Sequence, residues 1–293
     1  MQNAGPDRFP TNLGRAFAYL DTQQSRAGHR VGSIMVRNSL MKRMLVLAAL
    51  FASLAGAASA GSLKDIEAAK TLRIGTEGTY APFTFHDASG ALTGFDVEIG
   101  REVAKRLGVQ PEFVEGKWDG LIAGLAADRY DAVINQVGIT PERQARFDFS
   151  DPYIVSKAVL IVKDGDDAIK SFADLKGKRA AQSLTSNYGK LAEASGATLV
   201  GTEGFDQSIQ LVLTGRADAT INDNLSFLDF KKQKPDAPVT IAATQDEAAA
   251  SGIIVQKNNP ELVAAINKAL ADMKADGTYD KISQTYFGAD VSR

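Results

Sequence analysis

Between Gly78 and Ser150 the chain sets out Tyr80, Trp118, Asn135, Gln136 and Arg143: two aromatic rings, two amides and a guanidinium. Such groups have the chemistry to hold a zwitterion such as an amino acid, with ring faces for the apolar part, amides for hydrogen bonds and a planar cation for a carboxylate. They fall at strand-to-helix junctions in the pattern below, and in open α/β sheets ligands settle at such junctions. Taken singly, the same residues have plainer uses. Arg143 also suits a solvated helix arginine like Arg146, Trp118 a hydrophobic plug, and Asn135 or Gln136 the cap of a neighbouring helix.

Chemistry of other kinds has little to build on. After residue 60 His86 is the sole histidine, and with no Cys there is no thiol nucleophile and no His/Cys cluster at metal-ligand spacing. Neither a catalytic residue nor a metal nor a cofactor is expected. Asp96 and Glu98 are expected to complement the dipole at a helix N-terminus.

The elements that must position these groups alternate between strand and helix, an α/β pattern. Leu72–Gly75 is predicted as a strand, followed by a turn-rich loop centred on Tyr80, a second strand from Phe83 to Phe85, and a turn at Ala88-Ser89-Gly90. Gly94-Phe95-Asp96 opens a helix with Ile99, Val103 and Leu107 at four-residue spacing and Gly108 as its stop. A strand Pro111–Val114, a helix over Leu121–Leu125 and a buried strand Ala132–Ile134 ending in Asn135-Gln136 come next. From Val159 a second unit begins, with strands near 159–162, 179–181, 198–200, 219–221 and 239–241 and helices near 186–194, 207–213 and 225–230. Gly252–Val255 is a strand able to cross back, and two helices, from Pro260 and from Thr278, close the chain.

A chain of 293 residues has room for two modest lobes. Hydrophobic residues at 44% and charged residues at 23% exclude a disordered chain and a multispan membrane protein. One apolar run stands apart: Met41-Lys42-Arg43, a hydrophobic stretch from Leu45 to Gly56, then Ala58-Ser59-Ala60. Basic, apolar and small-residue regions in that order form a secretory signal peptide over 41–60 with cleavage after Ala60, and the apolar part is shorter than the roughly 20 residues a membrane span needs. Residues 1–40 are expected to be an upstream extension that is not native, with Met41 or Met35 as the true start. Removing residues 1–60 takes away seven Lys/Arg and two Asp/Glu, which leaves 26 basic and 33 acidic residues, net −7. An acidic exported chain does not suit nucleic acid, and without Cys there is neither a disulfide nor a lipoprotein anchor.

Gly94-Phe95-Asp96-Val97-Glu98-Ile99 with Val103-Ala104 and Leu107 resembles the signature of the solute-binding proteins of polar amino-acid ABC importers, family 3. Tyr80-x-Pro82-Phe83, Trp118-Asp119-Gly120-Leu121, Asp131 to Arg143, Phe149-Ser150-x-Pro152-Tyr153, Gly215-Arg216-Ala217-Asp218 and Asp276-Gly277-Thr278 extend the likeness over residues 62–293. Asn135-Gln136-Val137, Lys117-Trp118-Asp119-Gly120 and Phe287-Gly288-Ala289-Asp290 are most similar to the cystine-binding branch.

The resemblance implies a two-lobed periplasmic binding protein fold, α/β in class, with a ligand cleft between the lobes and a two-strand hinge near Val155–Lys157 and Ala250–Gly252. Lobe 1 would comprise 62–156 plus 250–293, and lobe 2 157–249. It further implies that Arg143 takes the ligand α-carboxylate, that Thr185 and Ser186 clamp it from the second lobe, that Asp223 receives the α-ammonium, and that Tyr80 and Trp118 flank the side chain. Asn135 and Gln136 would add polar contacts. Gly138 stands where many members carry Ser or Thr, so a carbonyl or water there replaces a hydroxyl. Without the resemblance, Thr185-Ser186 reads as a helix N-cap and Asp223 as a turn former. The implied function is a periplasmic monomer that captures an amino acid, L-cystine in the first place, and delivers it to an ABC permease. Another polar amino acid (glutamine, acidic or basic) and a dehydratase-type enzyme on the same fold are the alternatives.

Overall fold

Strands Gln110–Glu115, Thr71–Thr76 and Ala132–Val133 lie side by side and parallel, and Ile254–Gln256 and Phe147–Phe149 complete a five-stranded sheet in that order. Ile254–Gln256 enters antiparallel to both of its neighbours. The computed structural model describes residues 61–292; the expected extension 1–40 and signal peptide 41–60 lie outside the described residues.

Against this sheet packs the helix Phe95–Arg106, whose Phe95, Ile99 and Val103 recur once per turn and are fully buried. Its start requires glycine. Gly94 has φ 127°, and a Cβ there would stand 2.2 Å from the Phe83 carbonyl oxygen, closer than any side chain tolerates. The last two helices, Pro260–Ala275 and Thr278–Phe287, return to the same core: Leu262, Ile266, Leu270, Met273 and Tyr279 cluster with Leu72 and Ile74. Each large apolar side chain so buried contributes about 1.5–3 kcal/mol.

A second five-stranded sheet repeats the plan, in the order Thr198–Gly201, Arg179–Gln182, Ala219–Asp223, Ala158–Lys163, Val239–Thr244. The first three are parallel, and Ala158–Lys163 runs antiparallel to both neighbours. Its unbroken apolar run follows from burial on both faces: Val159 and Ile161 pack into one cluster, Ala158, Leu160 and Val162 into another. Between the two sheets the strands Ile154–Ser156 and Ala249–Ser251 pair antiparallel as the only two-stranded sheet among the described residues.

Local departures from the sequence pattern have physical causes. The helix expected over Leu121–Leu125 runs from Trp118 to Ala126, with the extended backbone of Lys117 at its N-cap. Asp96 does not serve the helix dipole from the surface; it is 1% exposed and hydrogen-bonded within the core. The helix Leu63–Ala69 and the 3-10 turn Phe172–Leu175 are too short to show a period. No helix among the described residues is long and apolar enough to cross a membrane.

Candidate functional site

The carboxyl ends of the parallel strands of both sheets face a common space. From the first sheet's side come Glu77, Tyr80, Trp118, Asn135 and Gln136, and from the second Gln182, Ser186, Tyr188 and Asn222. Five of the residues expected from sequence therefore line one cavity: Tyr80, Trp118, Asn135 and Gln136 from the first side and Ser186 from the second. Gly138, Arg143, Thr185 and Asp223 do not line it.

On the first wall the amide of Asn135 is fully buried and already engaged. Its Oδ1 accepts from the Glu77 backbone N–H at 2.8 Å and from Thr76 Oγ1 at 3.1 Å, while Nδ2 donates to Glu77 Oε2 at 2.5 Å. Asn135 thus positions Glu77, a residue that sequence reasoning missed. Burial pushes the Glu77 carboxyl up to about 7. The positional signal existed, since Glu77 directly follows the strand Thr71–Thr76, yet an acidic residue in a turn-rich segment reads as turn chemistry.

Gln136 has a backbone φ of 52°, a left-handed conformation that costs a residue with a side chain about 1–3 kcal/mol. Asp96 holds it there, accepting from the Gln136 N–H at 2.9 Å and from Nε2 at 2.8 Å, and Tyr153 donates its hydroxyl to the same carboxylate at 2.9 Å. Burial raises Asp96 to about 7.

Arg143 is half-buried; its Nη1 donates to the Gly138 carbonyl at 3.0 Å and its guanidinium carbon lies 5.3 Å from the Trp118 ring centroid. Burial lowers its pKa, opposed by Glu142 and the Tyr188 oxygen. The Gly138 carbonyl is therefore spent on fixing the arginine. A Cβ at Gly138 would meet only ordinary contacts, with Arg143 Nη1 at 3.4 Å and Asn187 Oδ1 at 3.7 Å.

Across the space, Asp223 ends the strand Ala219–Asp223 and N-caps the helix Asn224–Gln233 through the Leu225 N–H at 2.8 Å. It is 2% exposed; Ser156 and Tyr188 donate hydroxyls to it, and burial raises its pKa to about 6. Tyr188, the second residue of the helix Asn187–Ala194, is a second residue the sequence did not single out. Its hydroxyl donates to Asp223 Oδ2 at 3.2 Å, and burial raises its pKa. Ser186 caps its own helix, accepting from the Gly189 N–H at 2.9 Å.

Thr185 departs from expectation. Its N–H and its hydroxyl both donate to Asp119 Oδ1, each at 2.9 Å, and the Leu184 N–H reaches Asp119 Oδ2 at 3.3 Å. Donors expected to meet a ligand carboxylate meet one of the protein's own, from the opposite lobe. Further bonds cross the space: the Tyr80 hydroxyl to Asn222 Oδ1 at 2.8 Å, Ser226 Oγ to the Ala81 carbonyl at 2.9 Å, Lys190 to Glu142 at 2.5 Å, and Lys117 to Glu203. The lobes are drawn together.

Residues 72–289 match the family described as bacterial extracellular solute-binding proteins, family 3. The chain belongs to this family. An L-cystine-binding protein of Bacillus subtilis is 44% identical over 269 residues, spanning 86% of this chain and 100% of the relative. The L-cystine solute receptor of Neisseria gonorrhoeae, in its unliganded open conformation, is 52% identical, covers 79% of this chain and 99% of its own, and overlays with a TM-score of 0.53. An ancestral arginine-binding protein bound to arginine is 42% identical over 74% of this chain and 98% of that one, with a TM-score of 0.70. Of these two solved structures, the one more identical in sequence overlays less well. The one that overlays less well is described as unliganded and open, whereas here hydrogen bonds join the two sides of the cleft.

Proposed function

We propose that this chain is the extracytoplasmic substrate-binding subunit of an ABC transporter, a monomer that captures an amino acid by hinge closure and delivers it to membrane permease subunits. Lobe 1 is 62–156 plus 250–293, lobe 2 is 157–249, and the strands Ile154–Ser156 and Ala249–Ser251 are the hinge. L-cystine is the substrate we favour, on the strength of the cystine-binding relatives.

One observation carries the reading. A guanidinium on the first lobe, Arg143, lies over the Trp118 ring, and a buried carboxylate on the second, Asp223, accepts from the Tyr188 hydroxyl, and Trp118 and Tyr188 line one cavity. Stripping water from a zwitterion costs several kcal/mol per charge, so both poles need partners before closure is favourable. In this reading Arg143 takes the α-carboxylate and Asp223, steered by Ser156 and Tyr188, takes the α-ammonium, so that the guest bridges the lobes. No bond is made or broken.

A thermal-shift panel of cystine, glutamine, glutamate and arginine tests this. A ligand at 100 times its dissociation constant stabilises by about 2.7 kcal/mol. Stabilisation by glutamine, glutamate or arginine without cystine would move the substrate to that class; no shift with any amino acid would refute the proposal.

A further inference from the structure

We infer that Asp96 is a positioning residue for lobe closure: its buried carboxylate locks Gln136 on the cavity wall to Tyr153 at the entrance of the hinge, and so sets the register in which the second lobe meets the first. The inference rests on the hinge-closure reading above and adds what aligns the two halves of the site.

Asp96 is 1% exposed and does not line the cavity. Its Oδ2 accepts from the Gln136 N–H at 2.9 Å, and its Oδ1 from Gln136 Nε2 at 2.8 Å and from the Tyr153 hydroxyl at 2.9 Å. The triangle closes, since the Tyr153 oxygen lies 3.3 Å from the Gln136 backbone nitrogen and 3.4 Å from Nε2. All of these groups face the carboxylate as donors, so an amide in its place would set N–H groups against them. Keeping a carboxylate from water costs several kcal/mol unless its partners are complete. What this cluster fixes is geometry: Gln136 at its φ of 52°, and the Tyr153 ring stacked 6.2 Å from that of Phe95.

Tyr153 directly precedes the hinge strand Ile154–Ser156. Its N–H donates to the Ser251 carbonyl on the other hinge strand at 3.1 Å, and its own carbonyl accepts from the Tyr279 hydroxyl. The far end of the same strand holds the second lobe, because Ser156 donates its hydroxyl to Asp223. About 10 Å of extended chain therefore joins the Asp96 cluster to the carboxylate that arrives on closure. Beyond Gln136 the wall is bonded to the other hinge strand as well: the Gly252 N–H donates to the Val137 carbonyl at 3.1 Å, and the Ile139 N–H to the Ala250 carbonyl at 2.9 Å. Without the Asp96 carboxylate or the Tyr153 hydroxyl, the hinge strand keeps Ser251 and Asp223 but loses its fixed place relative to Gln136. The second lobe then lands out of register with the wall.

Tyr153→Phe removes the hydroxyl and leaves the ring, and Asp96→Asn sets a donor against donors. The chain has no Cys, so cysteines placed at the exposed Lys105 on the first lobe and Lys170 on the second can carry thioether-linked spin labels. Double electron–electron resonance then gives the lobe separation, and calorimetry the affinity, with L-cystine or, where it does not bind, glutamine, glutamate or arginine. Wild type is expected to show one narrow separation at saturating ligand. Each variant is expected to show a broader one and to bind roughly tenfold or more weakly, and the double variant to bind no more weakly than Asp96→Asn alone. A Tyr153→Phe distribution as narrow as wild type at saturation, whatever its melting temperature, would overturn the inference, because a packing role lowers stability without moving the hinge. Losses that add in the double variant would overturn it too, and in both cases hinge closure would stand. A wild type that binds without any change in separation, or that binds none of these amino acids, would overturn the closure reading and the inference together. Should either variant fail to fold, the other decides alone.

Discussion

Asp119→Ala removes a carboxylate that touches no part of the proposed guest, yet it is expected to weaken binding. In the closed arrangement Asp119 accepts from the Thr185 N–H and hydroxyl at 2.9 Å each and from the Leu184 N–H at 3.3 Å, joining the lobes beside the cavity. Hydrogen bonds to a charged group contribute about 1.5–3 kcal/mol when protected from water, but these residues are exposed and solvent competes for them. A net of about 1–2 kcal/mol for the set is reasonable. The bonds exist only when the lobes meet, so their loss lowers the closed population by that amount and the guest must supply the difference. At 1.4 kcal/mol per tenfold, affinity falls roughly 5- to 30-fold. Asp119→Asn keeps an acceptor and loses the charge, and should fall between. Calorimetry gives the affinity, and small-angle scattering should show the variant without ligand shifted toward the extended form. An affinity within twofold of wild type, with unchanged scattering, would refute the idea that this contact biases the hinge.

Arg143→Ala is expected to weaken amino-acid binding by about 3–5 kcal/mol, the usual consequence of leaving one member of a buried pair alone; calorimetry showing less than a threefold change would remove it from the site. Burial raises Glu77 and Asp96 to about 7 and Asp223 to about 6, so the folded state holds extra protons above the ordinary carboxylate range of about 4. Their contribution to stability is full below that range and is lost as pH rises through about 6–7, which melting curves of the ligand-free protein from pH 4 to 8 should record. Binding an ammonium runs the other way, since Asp223 must ionise to receive it. Affinity should therefore be lower at pH 5 than at pH 7.5, with proton release visible as a dependence of binding enthalpy on buffer. Gly94→Ala must place a Cβ 2.2 Å from the Phe83 carbonyl at a φ of 127°, and a thermal midpoint within about 2 °C of wild type would contradict that steric argument.

The fold was legible where period and length agreed. Helix Phe95–Arg106 shows Phe95, Ile99 and Val103 one turn apart, and the strand Ala158–Lys163 shows the apolar run of burial on both faces. The hinge strand Ile154–Ser156 and the edge strand Phe147–Phe149 are three residues each, too short for alternation to register. At the site, residue type singled out Tyr80, Trp118, Asn135, Gln136 and Ser186, which line one cavity, but not how their polar atoms are partnered. Asn135 and Gln136 are consecutive amides with the same inventory of donors and acceptors, and nothing local tells that one is spent on Glu77 while the other keeps a free carbonyl. That difference comes from Thr76, Asp96 and Tyr153, distant in sequence and brought in by the tertiary fold.

The same division explains how closure can be both specific and reversible. The cross-lobe bonds of Asp119, Lys117 and Lys190 join exposed groups, are made by the protein alone, and favour closure regardless of what is enclosed. The two lysine ion pairs contribute little each, about 0–1 kcal/mol, beside the roughly 1–2 kcal/mol of the Asp119 set. They keep the open and closed forms within a few kcal/mol of each other and leave the decision to the guest. Moving such a hinge from 1:99 to 99:1 takes about 5.5 kcal/mol of differential affinity. The first-lobe wall cannot supply it, because contacts to Glu77 or Trp118 are available in both forms; the difference must come from groups that arrive only on closure. Asp223, carried in on the second lobe with Ser156 and Tyr188 already bonded to it, is the group in position to do so. Asp223→Asn should accordingly leave a guest able to dock on the first lobe but unable to close the hinge, seen as weakened binding with scattering that stays in the open form at saturating ligand; closure at saturation would assign the trigger elsewhere.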